Sequence, residues 1–227
     1  MKGPILGYRE QILQTLATKP DLGGIIHGQR PVLKGNPYRR VSSFYSVKAG
    51  GAFLLEGGIE AAVAPCLESS SLISTWGAQG LTVTLSAKEW VLLDFVGRRV
   101  DGSLIAFEAK PSIKGLSPGK SERYNHAKNL LDREGIEFRL IDSYMLPTKL
   151  KLDQLRTLYT RGHQQNWGIE VIKLATDILH NANCNLIVEA RHVLTKAGIP
   201  SNLCDYLVFH KIIAFKDAIN DTTEIAA

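Results

Sequence analysis

Two short apolar segments joined by a turn signal constrain the fold of this chain more than any other feature. They span residues 89–96 (EWVLLDFV) and 103–109 (SLIAFEA), and the stretch between them ends in Asp101-Gly102. An Asp-Gly pair between two strand-like segments is a strong signal for a β-hairpin. Each segment also carries one carboxylate within apolar sequence, Asp94 in the first and Glu108 in the second.

The sequence after the hairpin predicts an α/β core. A helix is expected over 122–133, where Gly135 marks its end, and a strand over 137–142 (EFRLID). A helix that joins two strands of one sheet forms a right-handed crossover, so the last strand is expected to lie parallel to strand 103–109.

Upstream of the hairpin, the periodicity predicts a helix at 8–19, a helix at 57–67 and a strand at 76–85. The stretch 21–52 is rich in Gly and Pro, which indicates an extended or loop-like segment on the surface. The fold class expected from this order is α/β, with a mixed sheet flanked by helices.

The composition changes after Pro147, and this change suggests the domain organisation. Residues 1–147 are expected to form the α/β domain, and the polar, basic stretch 148–165 a linker or connecting helix. Residues 166–227 are expected to form a small helical domain. Its helices are predicted near 169–180, 186–197 and 202–212, followed by a possible β wing over 212–226.

The bulk composition bounds the class of protein. The chain has 227 residues, 44% hydrophobic residues, a formal net charge of +5 and a sequence pI of about 9.1. It has no apolar N-terminal segment typical of a signal peptide and no apolar run long enough to span a bilayer. The dispersed Cys66, Cys184 and Cys204 argue against a disulfide framework or a structural zinc site. A cytoplasmic protein is expected.

The two carboxylates and a nearby lysine indicate metal-assisted phosphodiester chemistry. A carboxylate within an apolar strand is costly unless it is paired or bound to metal. Glu108 and Lys110 lie two residues apart, on one face of their strand, and the hairpin could bring Asp94 beside them. Carboxylate oxygens hold Mg²⁺, and a lysine beside them can orient water or stabilise charge. The alternative is a salt-bridged strand residue and an exposed Glu-Lys pair.

The segment VLLDFVGRRVDGSLIAFEAK (91–110) resembles the core of the PD-(D/E)xK nucleases. Its surroundings resemble the TnsA type, the endonuclease of bacterial transposons related to transposon Tn seven. Glu60 opens the run Glu-Ala-Ala-Val, Gln79 follows Trp76, and EGIEFRLID resembles the closing strand of that family. The similarity covers roughly residues 38–145, although Leu93 stands where many such nucleases have proline.

This resemblance implies a restriction-endonuclease-like sheet flanked by helices, followed by a winged-helix-like C-terminal domain. It implies that Glu60, Asp94, Glu108 and Lys110 are catalytic, that the three carboxylates bind Mg²⁺, with Mn²⁺ able to substitute, and that Gln79 supports the site. Glu56, one helical turn before Glu60, competes for the ligand role, although it is expected to cap the helix instead.

The resemblance also implies a function. The chain would cut the 5′, non-transferred strands of double-stranded DNA at transposon ends, in the bacterial cytoplasm. A TnsB-type transposase and a TnsC-type AAA+ ATPase regulator would be its partners. The alternatives are a restriction or repair endonuclease of the same fold, and a non-catalytic DNA-binding assembly subunit.

Basic residues near the hairpin and its following helix are candidates for contacts with the DNA backbone. Each could equally belong to a solvated surface. They are Arg98, Arg99, Lys114, Lys120, Arg123, His126 and Lys128. The C-terminal domain has few positive charges around its expected recognition helix and an acidic tail, which favours partner binding with some DNA contact.

Overall fold

The computed structural model describes residues 6–20 and 41–217 of the chain. The chain divides into two compact units, and the boundary falls between Leu146 and Pro147. Each unit is therefore described by itself.

A four-stranded mixed sheet forms the centre of the first unit. Its strands are β3 (Ile73–Thr84), β4 (Trp90–Arg99), β5 (Leu104–Lys110) and β6 (Ile136–Asp142), in that spatial order. The neighbours β3–β4 and β4–β5 are antiparallel, whereas β5 and β6 are parallel. The predicted hairpin and the predicted parallel strand are both confirmed, and the turn at Asp101-Gly102 adopts a positive φ of 88° at the glycine.

Helices cover both faces of this sheet. They are α1 (Tyr8–Ala17), α2 (Gly58–Ser69) and α3 (Pro118–Asp132), close to the three helices predicted from the sequence. A buried cluster joins α1 and α3 to the sheet and includes Ile12, Leu81, Leu93 and Leu131. The mixed α/β fold class is therefore confirmed.

Helix α1 also covers the edge of the sheet at β3. The backbone N–H of Thr82 donates a hydrogen bond to Gln11 Oε1 at 3.0 Å, and the Thr15 hydroxyl lies 3.1 Å from the carbonyl oxygen of Gly80. A Cβ atom at Gly80 would lie 2.4 Å from Thr15 Cγ2, so only glycine allows this approach. Side chains of α1 thus occupy backbone groups that an uncovered edge strand would leave unpaired.

A two-stranded ribbon precedes α2, in a region where the sequence predicted an extended or loop-like segment. Its strands β1 (Val41–Ser46) and β2 (Gly51–Glu56) pair antiparallel, so residues 41–52 are extended, and the sequence did not predict their pairing. Residues 21–40 lie outside the described residues. The buried Glu68 carboxylate stabilises the turn of the ribbon, because it accepts hydrogen bonds from Ser46 Oγ (2.6 Å) and the Val47 N–H (2.9 Å).

The second unit is helical. Its helices are α4 (Lys149–Gly162), α5 (Ile169–Ala182), α6 (Ile187–Lys196) and α7 (Asn202–Phe209). Residues 149–162, interpreted from the sequence as a linker or connecting helix, form α4, which packs against α7 within this unit. A Cβ atom at Gly162 would lie 2.6 Å from the Tyr206 backbone nitrogen, which shows how closely the two helices approach.

Two further sequence expectations concern the end of this unit and the cysteines of the whole chain. Residues 212–217 of the expected β wing contain no strand, and its remaining residues lie outside the described range. None of the three cysteines forms a disulfide bond, as expected. Within the described residues, no helix combines the length and apolar character needed to cross a membrane.

Candidate active site

Asp94 and Glu108 lie where strands β4 and β5 stop pairing. The strands pair from Phe95 with Phe107 towards the turn, and the two carboxylates are the next residues outward. The backbone N–H of Ala109 donates to Asp94 Oδ2 at 2.8 Å, and the N–H of Asp94 donates to Glu108 Oε2 at 3.3 Å. Each carboxylate therefore accepts a hydrogen bond from the backbone of the neighbouring strand, which holds both at the point of divergence.

Glu108 is also the centre of a polar cluster on the other side. Its Oε1 atom forms an ion pair with Lys110 Nζ and accepts a hydrogen bond from the Tyr124 hydroxyl at 2.9 Å. Lys110 Nζ lies 5.7 Å from the centre of the Tyr124 ring. Only 4% of Glu108 is exposed, so these contacts satisfy a carboxylate that burial would otherwise penalise.

Lys110 remains charged in this setting. Burial by itself would lower the pKa of Lys110, but the negative charge of Glu108, its hydrogen bond and the charge of Asp94 outweigh burial. The pKa of Lys110 is therefore raised above its ordinary value. A lysine that holds its proton at neutral pH acts as a charged donor rather than as a general base.

Tyr124 is the site residue that the sequence interpretation missed. It lies in the buried stripe of α3 with Ala127 and Leu131, where a tyrosine looks like an ordinary core residue. Burial and the charge of Glu108 raise the pKa of Tyr124 to about 12, so its hydroxyl stays protonated and donates to Glu108. No pattern in the sequence pairs this residue with Glu108, because the contact depends on how α3 docks on β5.

Gln79 lies beside the acidic pair, on strand β3. The register of β3 and β4 shifts between Ala78 and Leu81, so Gln79 and Gly80 together face Asp94 in a β-bulge. Gln79 has a positive φ of 50° and is 3% exposed, and its Oε1 atom has no hydrogen-bond partner among the described residues. A buried unsatisfied carbonyl next to a bulge is costly, and such features cluster at functional sites.

Glu60 lies in the first turn of α2, a helix that contacts β2, β3 and β5. It is 8% exposed, and its Oε2 atom accepts a hydrogen bond from the backbone N–H of Glu56 at 3.0 Å. The expectation that Glu56 caps this helix is wrong, because the N-cap residue is Gly57 and Glu56 ends β2. The side chain that turns back at the start of the helix is that of Glu60.

The structure thus brings Asp94, Glu108 and Lys110 together as expected and places Gln79 opposite Asp94. Within residues 6–20 and 41–217, no three His, Cys, Asp or Glu side chains form a group that could hold a metal ion. Asp94 and Glu108 are the two carboxylates that bond to each other's strands, and Glu60 lies in the first turn of α2.

The candidate DNA-binding residues fall into two groups. Arg98 and Arg99 lie at the turn end of β4, about 20 Å along β5 from Lys110, and Arg99 pairs with Glu137 at 2.6 Å. The others lie in the loop after β5 or on α3, where Lys128 pairs with Asp132 at 2.6 Å. They are Lys114 in the loop, and Lys120, Arg123, His126 and Lys128 on α3.

A groove of about 440 Å³ opens beside Glu108. It lies between the start of β4 and the first half of α3, with Glu108 in its wall. Its lining residues are Lys88, Glu89, Trp90, Val91, Leu92, Glu108, Arg123 and Tyr124. No protein-family model matches the sequence, and a search of curated proteins returned no match.

Proposed function

We propose that this chain is a metal-dependent DNA endonuclease with its active site at Asp94, Glu108 and Lys110. The observation that carries the proposal is the link between the two carboxylates at the divergence of β4 and β5, with a charged lysine on the same glutamate. In an ordinary surface Glu-Lys pair, the glutamate would be largely exposed. Here Glu108 is only 4% exposed, and it is linked to a second carboxylate, Asp94, on the neighbouring strand. The arrangement supports the nuclease interpretation over the ordinary surface pair.

The residues fit a hard divalent cation. Asp94 and Glu108 supply carboxylate oxygens within one cluster, and oxygen ligands of this kind suit Mg²⁺ or Mn²⁺. Glu60 on α2 is the proposed third ligand, which requires its carboxylate to exchange the Glu56 backbone contact for the ion. A bound ion would neutralise charge on the scissile phosphate and lower the pKa of a water molecule.

The protein's own residues have separate tasks in this proposal. Lys110 keeps its proton, so it donates hydrogen bonds and positive charge to the phosphate oxygens as negative charge develops. Tyr124 holds Glu108 in place from the other side of the cluster. Gln79 offers a buried carbonyl oxygen that can accept a hydrogen bond from an ordered water molecule beside Asp94.

The finer assignment is also part of the proposal. We infer a restriction-endonuclease-like first domain and a winged-helix-like second domain, acting in bacterial cytoplasm on the 5′ strands of transposon ends with a TnsB-type transposase and a TnsC-type regulator. In the second unit, exposed apolar side chains on α5 and α6 favour protein contacts over DNA contacts. Ile169, Leu174 and Val188 are each more than half exposed.

Two alternatives share parts of this picture. A restriction or repair endonuclease would use the same site on other DNA, because fold and core chemistry do not define the substrate. An assembly subunit would bind DNA or partners without cutting. The DNA that the protein prefers to cut distinguishes the first alternative from the proposed function. Loss of cutting when the site is mutated distinguishes the second, because an assembly subunit would not cut at all.

The test is nicking of supercoiled DNA that carries the transposon ends, with Mg²⁺, in the presence of the partner transposase. Asp94→Asn should abolish nicking and retain DNA binding. Asp101→Asn is the matched control, because Asp101 lies at the exposed hairpin turn and its carboxylate accepts hydrogen bonds from its neighbour Ser103. If Asp94→Asn nicks at the wild-type rate, the site assignment is wrong.

A further inference from the structure

Strand β4 begins with an exposed tryptophan, Trp90, near the candidate active site. Trp90 is 56% exposed, whereas the other residues of the strand up to Gly97 are buried or half-buried. A tryptophan left in water is costly, since its indole ring has a large apolar surface. Trp90 starts the strand and pairs with Thr84, so its backbone position is fixed by the sheet.

Arg123 fixes this tryptophan further. The Arg123 guanidinium donates a hydrogen bond to the backbone carbonyl of Trp90, and its Nε lies 3.2 Å from Glu89 Oε1. The backbone of Trp90 is therefore held from both the sheet and α3, while the indole ring remains accessible. A rigid and accessible aromatic ring loses little conformational entropy when it binds a flat partner.

Trp90 lies on the same groove as Glu108, one member of the acidic pair. Trp90 and Glu108 both belong to the wall of the 440 Å³ groove, and Lys88 supplies a positive charge there. Along the strand, Trp90 and Asp94 are separated by about 13 Å, a distance of a few nucleotides. The groove thus places an aromatic surface within a few nucleotides of the position proposed for the scissile phosphate.

We propose that Trp90 is a stacking platform for a nucleobase that has left the double helix next to the cleavage point. Bases stack on exposed aromatic side chains irrespective of sequence, and cationic residues track the backbone beside them. A base inside intact duplex has both faces covered and cannot stack on the indole ring. The substrate of this site would then be a DNA strand with a locally unpaired base. This inference rests on the proposed nuclease function.

The test uses the full-length chain and short duplexes in EDTA, so that binding is measured without cleavage. One duplex is fully paired, and the other has a single unpaired 2-aminopurine. The wild-type protein should quench the fluorescence of the unpaired 2-aminopurine. Trp90→Leu should abolish this quenching and weaken binding to the unpaired duplex by about tenfold, with little change for the paired duplex.

Tyr45→Leu is the matched control, because Tyr45 is an equally exposed aromatic residue, 57% exposed, on the separate ribbon strand β1. It should bind both duplexes like the wild type, and circular dichroism should show that each variant is folded. Wild-type binding by Trp90→Leu, equal weakening on both duplexes, or no binding by the wild-type protein would each overturn the proposal. Because no metal or cleavage is involved, these outcomes are separate from the nicking test of the nuclease function.

Discussion

Asp94 and Glu108 are joined through the backbone of each other's strands. Asp94 Oδ2 accepts from the N–H of Ala109 at 2.8 Å, and the N–H of Asp94 donates to Glu108 Oε2 at 3.3 Å. These hydrogen bonds begin where the β4–β5 ladder ends at Phe95 and Phe107. The geometry holds two carboxylates near each other through backbone hydrogen bonds, and the charge of Lys110 attracts both.

Tyr124→Phe should weaken the site while leaving the fold intact. The substitution removes the 2.9 Å hydrogen bond to Glu108 but keeps the ring that packs in the core. We expect a loss of about 1 kcal/mol in the free energy of unfolding, measured by urea denaturation, and a lower nicking rate. Tyr144→Phe is the control, because Tyr144 is 87% exposed. Unchanged nicking and stability in Tyr124→Phe would show that this contact has no role.

Lys110 should contribute to stability in a pH-dependent way. Its pKa is raised in the folded protein, so its contribution is fully present below the unfolded pKa of about 10.4 and is lost only as the pH rises through the higher folded value. The difference in unfolding free energy between the wild type and Lys110→Met should therefore be constant from pH 6 to pH 9 and shrink above about pH 10.4. Urea denaturation over this range measures it.

A difference that shrinks below pH 9 would contradict the raised pKa of Lys110. The nicking rate provides an independent check of the same point. Between pH 7 and pH 9, the nicking rates of the wild type and of Lys110→Arg should depend on pH in the same way. The reason is that the lysine acts as a charged donor throughout this range.

Glu68→Gln should destabilise the ribbon next to α2. The two carboxylate oxygens of Glu68 accept hydrogen bonds from four donors. A glutamine keeps one of these acceptor oxygens and replaces the other with an NH₂ group, which cannot accept from the remaining donors. The four donors are Ser46 Oγ, the backbone N–H groups of Val47 and Lys48, and Trp76 Nε1. We expect a loss of about 3 kcal/mol, because buried donors lose their partner.

The measurement for Glu68→Gln combines thermal denaturation with hydrogen exchange at Val47 and Lys48, whose protection should fall first. Glu170→Gln is the control, because the Glu170 side chain is 82% exposed and pairs with Lys173 on its own helix. If Glu68→Gln and Glu170→Gln have equal stabilities, Glu68 does not hold the ribbon.

Asp205→Asn should destabilise the second unit. Asp205 is fully buried and its carboxylate pairs with Arg161, at 3.0 Å, and with Arg191. Removing the negative charge takes the counter-ion from two arginines whose side chains are 44% and 27% exposed, which we expect to cost about 1–3 kcal/mol. Circular dichroism during urea denaturation should show an earlier helical transition than in Asp177→Asn, a variant of an exposed aspartate on α5. Coincident transitions would contradict this account.

The elements that the sequence predicts well have strong local signals. The Asp101-Gly102 turn and the two apolar segments define the β4–β5 hairpin, and this hairpin brings Asp94, Glu108 and Lys110 together. The parallel strand β6 follows from the handedness of the crossover through α3. Site residues within one hairpin are thus accessible to sequence reasoning.

The elements that the sequence does not predict depend on contacts between distant segments. Strand β1 is mostly exposed and has a weak pattern, and the buried Glu68 on α2 stabilises its turn from outside. Tyr124 joins the site only because α3 docks against β5, and Gln79 faces Asp94 only because of a bulge in β3. Register shifts and helix docking have no local signature in the sequence.

The central claim is that Asp94 and Glu108 hold a divalent ion together, and Mn²⁺ binding tests it most directly. Electron paramagnetic resonance titration of the full chain with Mn²⁺ requires neither DNA nor a partner protein. We predict saturable binding by the wild type and by Asp101→Asn, and at least tenfold weaker binding by Asp94→Asn and by Glu108→Gln, since each loses a charged ligand. Equal Mn²⁺ affinity in all four proteins would contradict the claim.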